Sequence, residues 1–147
     1  MKITISTQIL KIQTIPGRGN FYLIETPYEV CWEESDGTTG TVKIPLNFCT
    51  DFASVPRPFW GVVDPLDYDI RLIAPAHDRL YETHEQSRAF ADRLLYFGML
   101  ASGASMARAW AVWSAVRIGG ASAYDSGPER KQGRIVTLIT HELCKKH

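Results

Sequence analysis

The sequence predicts a single α+β domain in which a small N-terminal antiparallel sheet precedes three helices. Two patterns carry this prediction: apolar and polar residues alternate in the first third, and apolar residues take helical spacing from about position 68. Strands first and helices afterwards is the order typical of α+β proteins. A length of 147 residues fits one domain, so the whole chain, 1–147, is assigned to one unit.

The N-terminal part, 1–48, contains three predicted strands. Apolar and polar residues alternate over 3–12, and 21–33 is rich in aromatic and β-branched side chains. A glycine-containing hairpin loop then leads into the third strand, 41–48. Pro27 cannot donate a ladder hydrogen bond, so it predicts an edge or a bulge in the second strand. Together the strands predict a small antiparallel sheet.

Three helices are predicted in the helical part, 68–120. The first covers 75–83, because a proline is tolerated in the first turn of a helix. The second covers 87–101, with Ser87 as its N-cap residue. The third covers 104–118 and ends before two successive glycines.

Two irregular segments complete the chain. Prolines in 49–67 forbid long regular structure, and the large apolar side chains there predict a packed loop. In the C-terminal part, 121–147, a polar loop over 121–134 is followed by a short helix or strand over 135–144.

Charge and composition exclude several classes of function. Lysine and arginine number 16, aspartate and glutamate number 16, and the net charge is zero. Nucleic-acid binding needs a basic excess or patch, because phosphate neutralisation supplies most of the affinity, so no nucleic-acid partner is expected. Polybasic docking on an anionic membrane is excluded for the same reason. Three cysteines without CxxC spacing indicate neither a disulfide framework nor a zinc site.

No targeting or membrane segment is expected from the sequence. The N-terminus alternates like a strand and lacks the apolar block of a signal peptide. No stretch approaches the ~18 consecutive apolar residues that a transmembrane helix needs. We therefore expect a soluble chain in a reducing compartment.

Polar side chains of the first two helices are predicted to meet across their connection. His77 and Tyr81 are four residues apart and share one face of a helix, whereas Asp78 lies about 100° round. The centre of the turn 83–87 lies eight residues after His77 and seven before Asp92. Residues at about equal distances from the turn lie side by side in two antiparallel helices, so Asp92 is expected to contact the His77 ring.

Such a contact predicts a general base. A carboxylate on one ring nitrogen of His77 fixes the tautomer and leaves the other nitrogen to take a proton from water. Asp78, with Asp51 from the packed loop, can supply hard oxygen ligands for calcium, which would polarise an ester or amide carbonyl. Water is then the attacking group, and no nucleophilic side chain is required.

Simpler interpretations of the same residues stay open. His77 can be a core histidine with its hydrogen bonds satisfied, and Asp92 can pair with Arg88 one turn earlier. A concentrated group of carboxylates also needs a cation. Arg57, Arg79 and Arg88 are the internal candidates, and calcium is the external one.

Other conspicuous residues are given structural roles. Cys49 could serve a cysteine hydrolase with His77, but nothing places it at a helix N-terminus, where a thiolate is activated. His84 lies in the interhelical turn and is expected to be solvated. Met106, Trp110 and Trp113 have helical spacing and predict the core-facing stripe of the third helix.

The run His77-Asp78-x-x-Tyr81, followed by Asp92 on a second helix, resembles the active site of secreted phospholipases A2, particularly the small bacterial, fungal and parvoviral forms. The resemblance implies that His77 is the base and Asp78 a calcium ligand. It also implies that Asp92 orients His77 and that Tyr81 is a supporting hydroxyl.

The same resemblance implies further calcium ligands in the upstream loop, namely Asp51 and the backbone of Phe52. It covers less than a third of the chain. The cysteines that flank the site in those enzymes are absent, and the separation of His77 from Asp92 is shorter than in that family.

A second resemblance covers more of the chain. The runs TDFASVP (50–56), AHD (76–78), AD (91–92) and AVRI (115–118) resemble, over about 44–120, a small family common in tailed-phage genomes and prophages, domain-of-unknown-function family 1353. This resemblance implies a phage setting, with a location in the host cytoplasm or the virion and phage structural proteins as partners. It implies no particular activity.

Two functions are therefore predicted. The first is a calcium-assisted His/Asp hydrolase of an ester or amide, with a lipid as one candidate substrate. The alternative is a non-catalytic virion or accessory protein, in which Asp51, His77, Asp78 and Asp92 form a buried polar network that specifies the fold.

Overall fold

The computed structural model describes residues 1–14, 22–51, 64 and 66–127, and in them it confirms the α+β class. Six short strands come first and four helices follow. The strands are β1 (Lys2–Ile5), β2 (Ile12–Thr14), β3 (Tyr22–Ile24), β4 (Tyr28–Glu33), β5 (Thr39–Ile44) and β6 (Cys49–Thr50). The helices are α1 (Ala74–Thr83), α2 (Arg88–Ala101), α3 (Met106–Gly119) and α4 (Ala121–Asp125).

The strands form two three-stranded antiparallel sheets instead of one. The first has the order β1-β4-β5, and the second has the order β2-β3-β6. The predicted strand 3–12 is divided by a local turn, in which the Thr7 hydroxyl accepts a hydrogen bond of 3.1 Å from the Ile9 amide. The predicted strand 21–33 is divided just before Pro27, because proline lacks the amide that would continue the ladder.

The predicted strand 41–48 ends early, and a further short strand, β6, forms at the beginning of the predicted packed loop 49–67. Strand β5 ends at Ile44, and the chain turns through Asn47, whose φ is 62°. Strand β6 then pairs with β3 in the second sheet. As a result, Thr50 and Asp51 lie beside α1, where Asp78 is located.

The helix boundaries follow the capping residues. The Ser87 hydroxyl accepts a 3.2 Å hydrogen bond from the Phe90 amide, which confirms Ser87 as the N-cap of α2. Helix α3 begins at Met106, two residues later than expected, because Ser105 caps it by accepting from the Arg108 amide.

The two predicted irregular segments have different outcomes. The short helix α4 occupies the beginning of 121–134, where a polar loop was expected, so that part of the prediction is wrong. Of the predicted packed loop 49–67, the structure describes 49–51, 64, 66 and 67. The predicted element 135–144 lies outside the described residues.

The core lies between the sheets and the first two helices. It joins Val30 and Ile44 of the first sheet to Ile73 before α1 and to Leu94 of α2. Helices α1 and α2 approach each other closely at Gly98, where an added Cβ would lie 2.2 Å from Cγ1 of Ile73. In the part of the chain that the structure describes, no helix has the length and apolar character needed to cross a membrane.

Helix α3 packs with a face about 100° round from the one predicted, because each predicted tryptophan lies one residue after a buried residue. Met106 is 71% exposed and Trp110 is 61% exposed, so the predicted core-facing stripe is wrong. The buried face carries Ala109, Val112 and Val116 instead. The helix is apolar on both faces, and the face with the smaller side chains packs into the core. The aromatic face is left toward solvent.

The Gly98 contact predicts a stability effect. Replacing Gly98 with alanine is expected to lower the free energy of unfolding by about 1–3 kcal/mol, because the added methyl overlaps the buried Ile73 side chain. Urea denaturation monitored by circular dichroism measures this change. Gly119→Ala is the matched control, since it adds the same methyl at the exposed last residue of α3. Equal unfolding midpoints for the two variants would contradict the packing described here.

Candidate active site

His77 and Asp92 face each other across the α1–α2 hairpin. Nε2 of His77 lies 2.7 Å from Oδ1 of Asp92. The contact of His77 with Asp92 that the turn length predicts is therefore observed. Both residues are deeply buried, with exposed fractions of 1% for His77 and 0% for Asp92. The pair forms a closed polar contact within the helical core.

Tyr81 joins the pair from the next turn of α1. Its hydroxyl donates a 2.6 Å hydrogen bond to Oδ1 of Asp92, the oxygen that also contacts His77. The centroids of the His77 and Tyr81 rings are 4.1 Å apart. Gly120 makes room for this hydroxyl, because a Cβ there would lie 2.8 Å from it. The His77 ring is thus held by its hydrogen bond to Asp92 and by its contact with the Tyr81 ring.

Among the described residues, the cation paired with Asp92 is Arg117 of α3, which sequence reasoning missed. Its Nη1 donates a 2.8 Å hydrogen bond to Oδ2 of Asp92. Arg88 instead donates to the backbone carbonyl of Arg117 at 3.2 Å, so the expected pairing of Arg88 with Asp92 is not formed. Arg57 lies outside the described residues. The available signal was the run AVRI (115–118), which contains Arg117.

Asp78 lies on the other side of the His77 ring. Its Oδ2 accepts hydrogen bonds of 2.5 Å from the Thr50 hydroxyl and 3.2 Å from the Asp51 amide. Its Oδ1 is 3.9 Å from Nδ1 of His77, which is too long for a hydrogen bond. Strand β6 therefore holds the Asp78 carboxylate close to His77 without placing it in direct contact with the ring.

The two ring nitrogens of His77 have different surroundings. Nε2 contacts Asp92, whereas Nδ1 is buried and has no hydrogen-bond partner among residues 1–14, 22–51, 64 and 66–127. A buried polar atom without a partner is uncommon and calls for an explanation, such as a water or a substrate group. The arrangement leaves one ring nitrogen available for proton transfer.

Comparison with known proteins identifies the family. A family model described as a protein of unknown function, DUF1353, matches residues 24–116, which is more than half of the chain. The chain belongs to the DUF1353 family. No curated protein and no solved structure matches it.

The DUF1353 match covers the hairpin that carries the site. Its range, 24–116, includes His77, Asp78, Tyr81 and Asp92. Arg117, which completes the contacts of Asp92, is the first residue beyond the end of the match. The site residues of α1 and α2 thus lie within the matched range, and Arg117 lies at its border.

The charges of His77 and Asp92 stabilise each other. Burial lowers the pKa of His77, but the carboxylates of Asp78 and Asp92 outweigh burial and raise the pKa above its ordinary 6.5. At 3.9 Å, Asp78 acts through its charge. Burial raises the pKa of Asp92, but His77, Tyr81 and Arg117 outweigh burial and hold the pKa below its ordinary 3.8. Asp92 is therefore ionised at neutral pH.

The hydroxyl of Tyr81 stays protonated. Burial and the neighbouring Asp92 carboxylate both raise the pKa of Tyr81 well above its ordinary value. The hydroxyl consequently donates its proton to the hydrogen bond with Asp92 at physiological pH. Tyr81 thus donates a hydrogen bond to the carboxylate that contacts His77.

The described part of the proposed calcium site is incomplete. Asp51 and Asp78 are brought together by the hydrogen bond from the Asp51 amide, while Phe52 lies outside the described residues. Calcium takes roughly 6–8 oxygen ligands. In the described ranges, no three His, Cys, Asp or Glu side chains form a group that could hold a metal ion. These residues alone fall short of a calcium site, and calcium binding stays a prediction.

Cys49 and His84 take structural positions. Cys49 lies in strand β6 and not at a helix N-terminus, so no helix end activates its thiol. His84 ends α1 with a φ of 54°, is exposed, and donates from Nε2 to the Tyr124 carbonyl at 2.7 Å. Its ring stacks on that of Tyr124, which connects α1 to α4.

The contact between Arg117 and Asp92 predicts a large cost of substitution. Arg117→Gln is expected to lower the free energy of unfolding by about 2–3 kcal/mol, because it leaves a fully buried carboxylate without its cation. This loss of stability is smaller than the loss expected on breaking a fully buried ion pair, because the Arg117 side chain is 31% exposed. Urea denaturation at neutral pH measures it.

Arg93→Gln is the matched control for Arg117→Gln. Arg93 also pairs with a carboxylate, that of Glu34, but its side chain is 48% exposed. An exposed ion pair contributes less than about 1 kcal/mol. Equal losses of stability in the two variants would show that Arg117 does not neutralise a buried charge.

Proposed function

We propose that this DUF1353 protein is a hydrolase in which His77 is the general base. The observation that carries the proposal is the asymmetry of the His77 ring: Asp92 fixes Nε2, and Nδ1 has no hydrogen-bond partner among the described residues. A histidine oriented by a carboxylate on one nitrogen and available on the other is the arrangement that general-base catalysis needs.

In the proposed reaction, His77 begins neutral. Nε2–H donates to Asp92, and the lone pair of Nδ1 takes a proton from a water molecule. The resulting hydroxide attacks the carbonyl carbon of an ester or amide and forms a tetrahedral intermediate. The protonated His77 then returns the proton to the leaving oxygen or nitrogen, so the ring ends neutral. The intermediate collapses to an acid and an alcohol or amine.

The surrounding charges support this proton transfer. The carboxylates of Asp78 and Asp92 stabilise the imidazolium that forms when Nδ1 takes the proton. Tyr81 and Arg117 keep Asp92 ionised, so Asp92 orients the ring without itself gaining a proton. Asp51 and Asp78 are the described residues that would supply oxygen ligands if calcium takes part, and no step here depends on it.

The biological setting forms a separate part of the proposal. We infer a tailed phage or prophage, with the protein in the host cytoplasm or associated with the virion. This inference is supported by the resemblance of the runs TDFASVP, AHD, AD and AVRI to a family common in tailed-phage genomes and prophages. The proposed substrate class, an ester or amide and among these a lipid, is supported by the His77–Asp92–Tyr81 arrangement and its likeness to phospholipase A2 motifs.

A second candidate function rests on burial. With exposed fractions of 1% for His77 and 0% for Asp92, water and substrate reach Nδ1 only if the surroundings of the ring open. A non-catalytic accessory or virion protein requires no such opening. In that case the contacts among His77, Tyr81, Asp92 and Arg117 hold the three helices together and catalyse nothing.

Hydrolysis assays with matched histidine variants distinguish the two functions. We expect the protein to hydrolyse p-nitrophenyl butyrate or a short-chain phospholipid, and His77→Gln to lower kcat/KM by at least about 100-fold. We also expect kcat/KM to rise with pH through a pKa above 6.5, because the base works in its neutral form. Initial rates across pH measure both effects.

The control variant is His84→Gln, which changes an exposed histidine at the end of the same helix. It is expected to retain the wild-type rate. Circular dichroism establishes that each variant is folded. A folded His77→Gln variant that keeps the wild-type rate would contradict the assignment of His77 as the base. Absence of hydrolysis in the wild type, with loss of folding in His77→Gln, would favour the structural function.

A further inference from the structure

A concave groove lies between α2 and α3, on the side of Asp92 where Arg117 binds. Its volume is about 710 Å³. This is within the range of roughly 300–1,000 Å³ that is common for small-molecule sites. His77 and Asp78 do not line it, so the groove is distinct from the surroundings of Nδ1. The large side chains that line it are Phe90, Arg93, Tyr96, Trp110, Trp113 and Arg117.

The walls of the groove are mainly aromatic. Trp110 is 61% exposed, although tryptophan contributes most to stability when it is covered. The buried face of α3 is occupied by its contacts with the core, so Trp110 and Trp113 belong to a second apolar face of the same helix. A helix that is apolar on both faces is typical of one that is covered on both sides.

The charged side chains that line the groove are all positive among the described residues. In the described ranges, two guanidinium groups, those of Arg93 and Arg117, line the groove, and no carboxylate does. Arg93 pairs with Glu34, which lies outside the lining. Among the described residues, the Arg117 guanidinium makes one side-chain hydrogen bond, from Nη1 to Asp92, and therefore keeps further N–H donors for a ligand. Arg117 is partly exposed, so a ligand in the groove can reach it.

We propose that this groove binds a small anionic amphiphile. The apolar body of the ligand lies against Phe90, Trp110 and Trp113, and its carboxylate or phosphate accepts hydrogen bonds from Arg117. A guanidinium group binds carboxylates and phosphates well because its N–H donors lie in one plane and can donate two parallel hydrogen bonds to such an anion. The proposal does not depend on hydrolysis at His77, because the two sites share only the contact between Arg117 and Asp92.

Calorimetric titration with three probes tests the charge and the apolar body separately. Decanoate has both features, decyltrimethylammonium has the same chain with the opposite charge, and acetate has the carboxylate without the chain. All are used below their micellar concentrations. Saturable binding of decanoate to the wild-type protein is expected, with affinity at least about tenfold higher than that of either other probe.

Two exposed residues of α3 locate the binding. Trp110→Ala removes one wall of the groove and is expected to weaken decanoate binding about tenfold. Met106→Ala is the matched control, because Met106 is 71% exposed one turn earlier on α3 and does not line the groove. It is expected to bind decanoate like the wild type.

A third variant tests the cationic lining. Arg93→Gln is expected to weaken decanoate binding severalfold and to strengthen the binding of decyltrimethylammonium, because it removes a positive charge from the lining. Absence of decanoate binding, equal binding of the two charged amphiphiles, or equal effects of Trp110→Ala and Met106→Ala would each overturn the proposal.

Discussion

The carboxylate of Asp92 is the constraint on which the helical half of this protein depends. It is fully buried and ionised, so it needs donors that compensate for lost hydration. Those donors come from two other helices: His77 and Tyr81 from α1, and Arg117 from α3. One side chain of α2 therefore fixes the relative positions of three helices. Losing any one donor leaves part of a buried charge uncompensated.

The same carboxylate determines the chemistry that the site can perform. By holding Nε2 of His77, it directs Nδ1 toward Asp78, whose carboxylate is held by Thr50 of β6 and by the following residue, Asp51. By holding Arg117, it places a guanidinium at the edge of the aromatic groove. The proposed base and the proposed ligand site are thus connected through the two oxygens of Asp92, Oδ1 for His77 and Oδ2 for Arg117.

The contact of His77 with Asp92 could be predicted because it depends on local geometry. A short turn between two antiparallel helices makes residues at equal distances from it level, and the spacing of His77 and Tyr81 sets the shared face. Ser87 was likewise identifiable as an N-cap because capping is decided by residue type and position. In each case, the residue types and spacing within a short stretch of sequence are enough to make the prediction.

The features that were predicted wrongly or missed depend on contacts between residues that are distant in the sequence. Arg117 comes from α3, and the rotation of that helix cannot be deduced when both faces are apolar; the spacing of Trp110 and Trp113 therefore indicated the wrong face. The two-sheet arrangement has the same origin, because alternation shows that a segment is a strand but not which strand it pairs with. Helix α4 was missed because the tertiary contact of Tyr124 with His84 supports a segment of weak local pattern.

The tautomer of His77 tests the central claim most directly. Long-range ¹H–¹⁵N NMR spectra across a pH titration report which ring nitrogen carries the proton and the pKa at which the second is lost. The contact of Nε2 with Asp92 predicts that, above a pKa higher than 6.5, the neutral ring is protonated on Nε2 and has its lone pair on Nδ1. A neutral ring protonated on Nδ1, or a pKa below 6.5, would contradict the assignment of His77 as an oriented base.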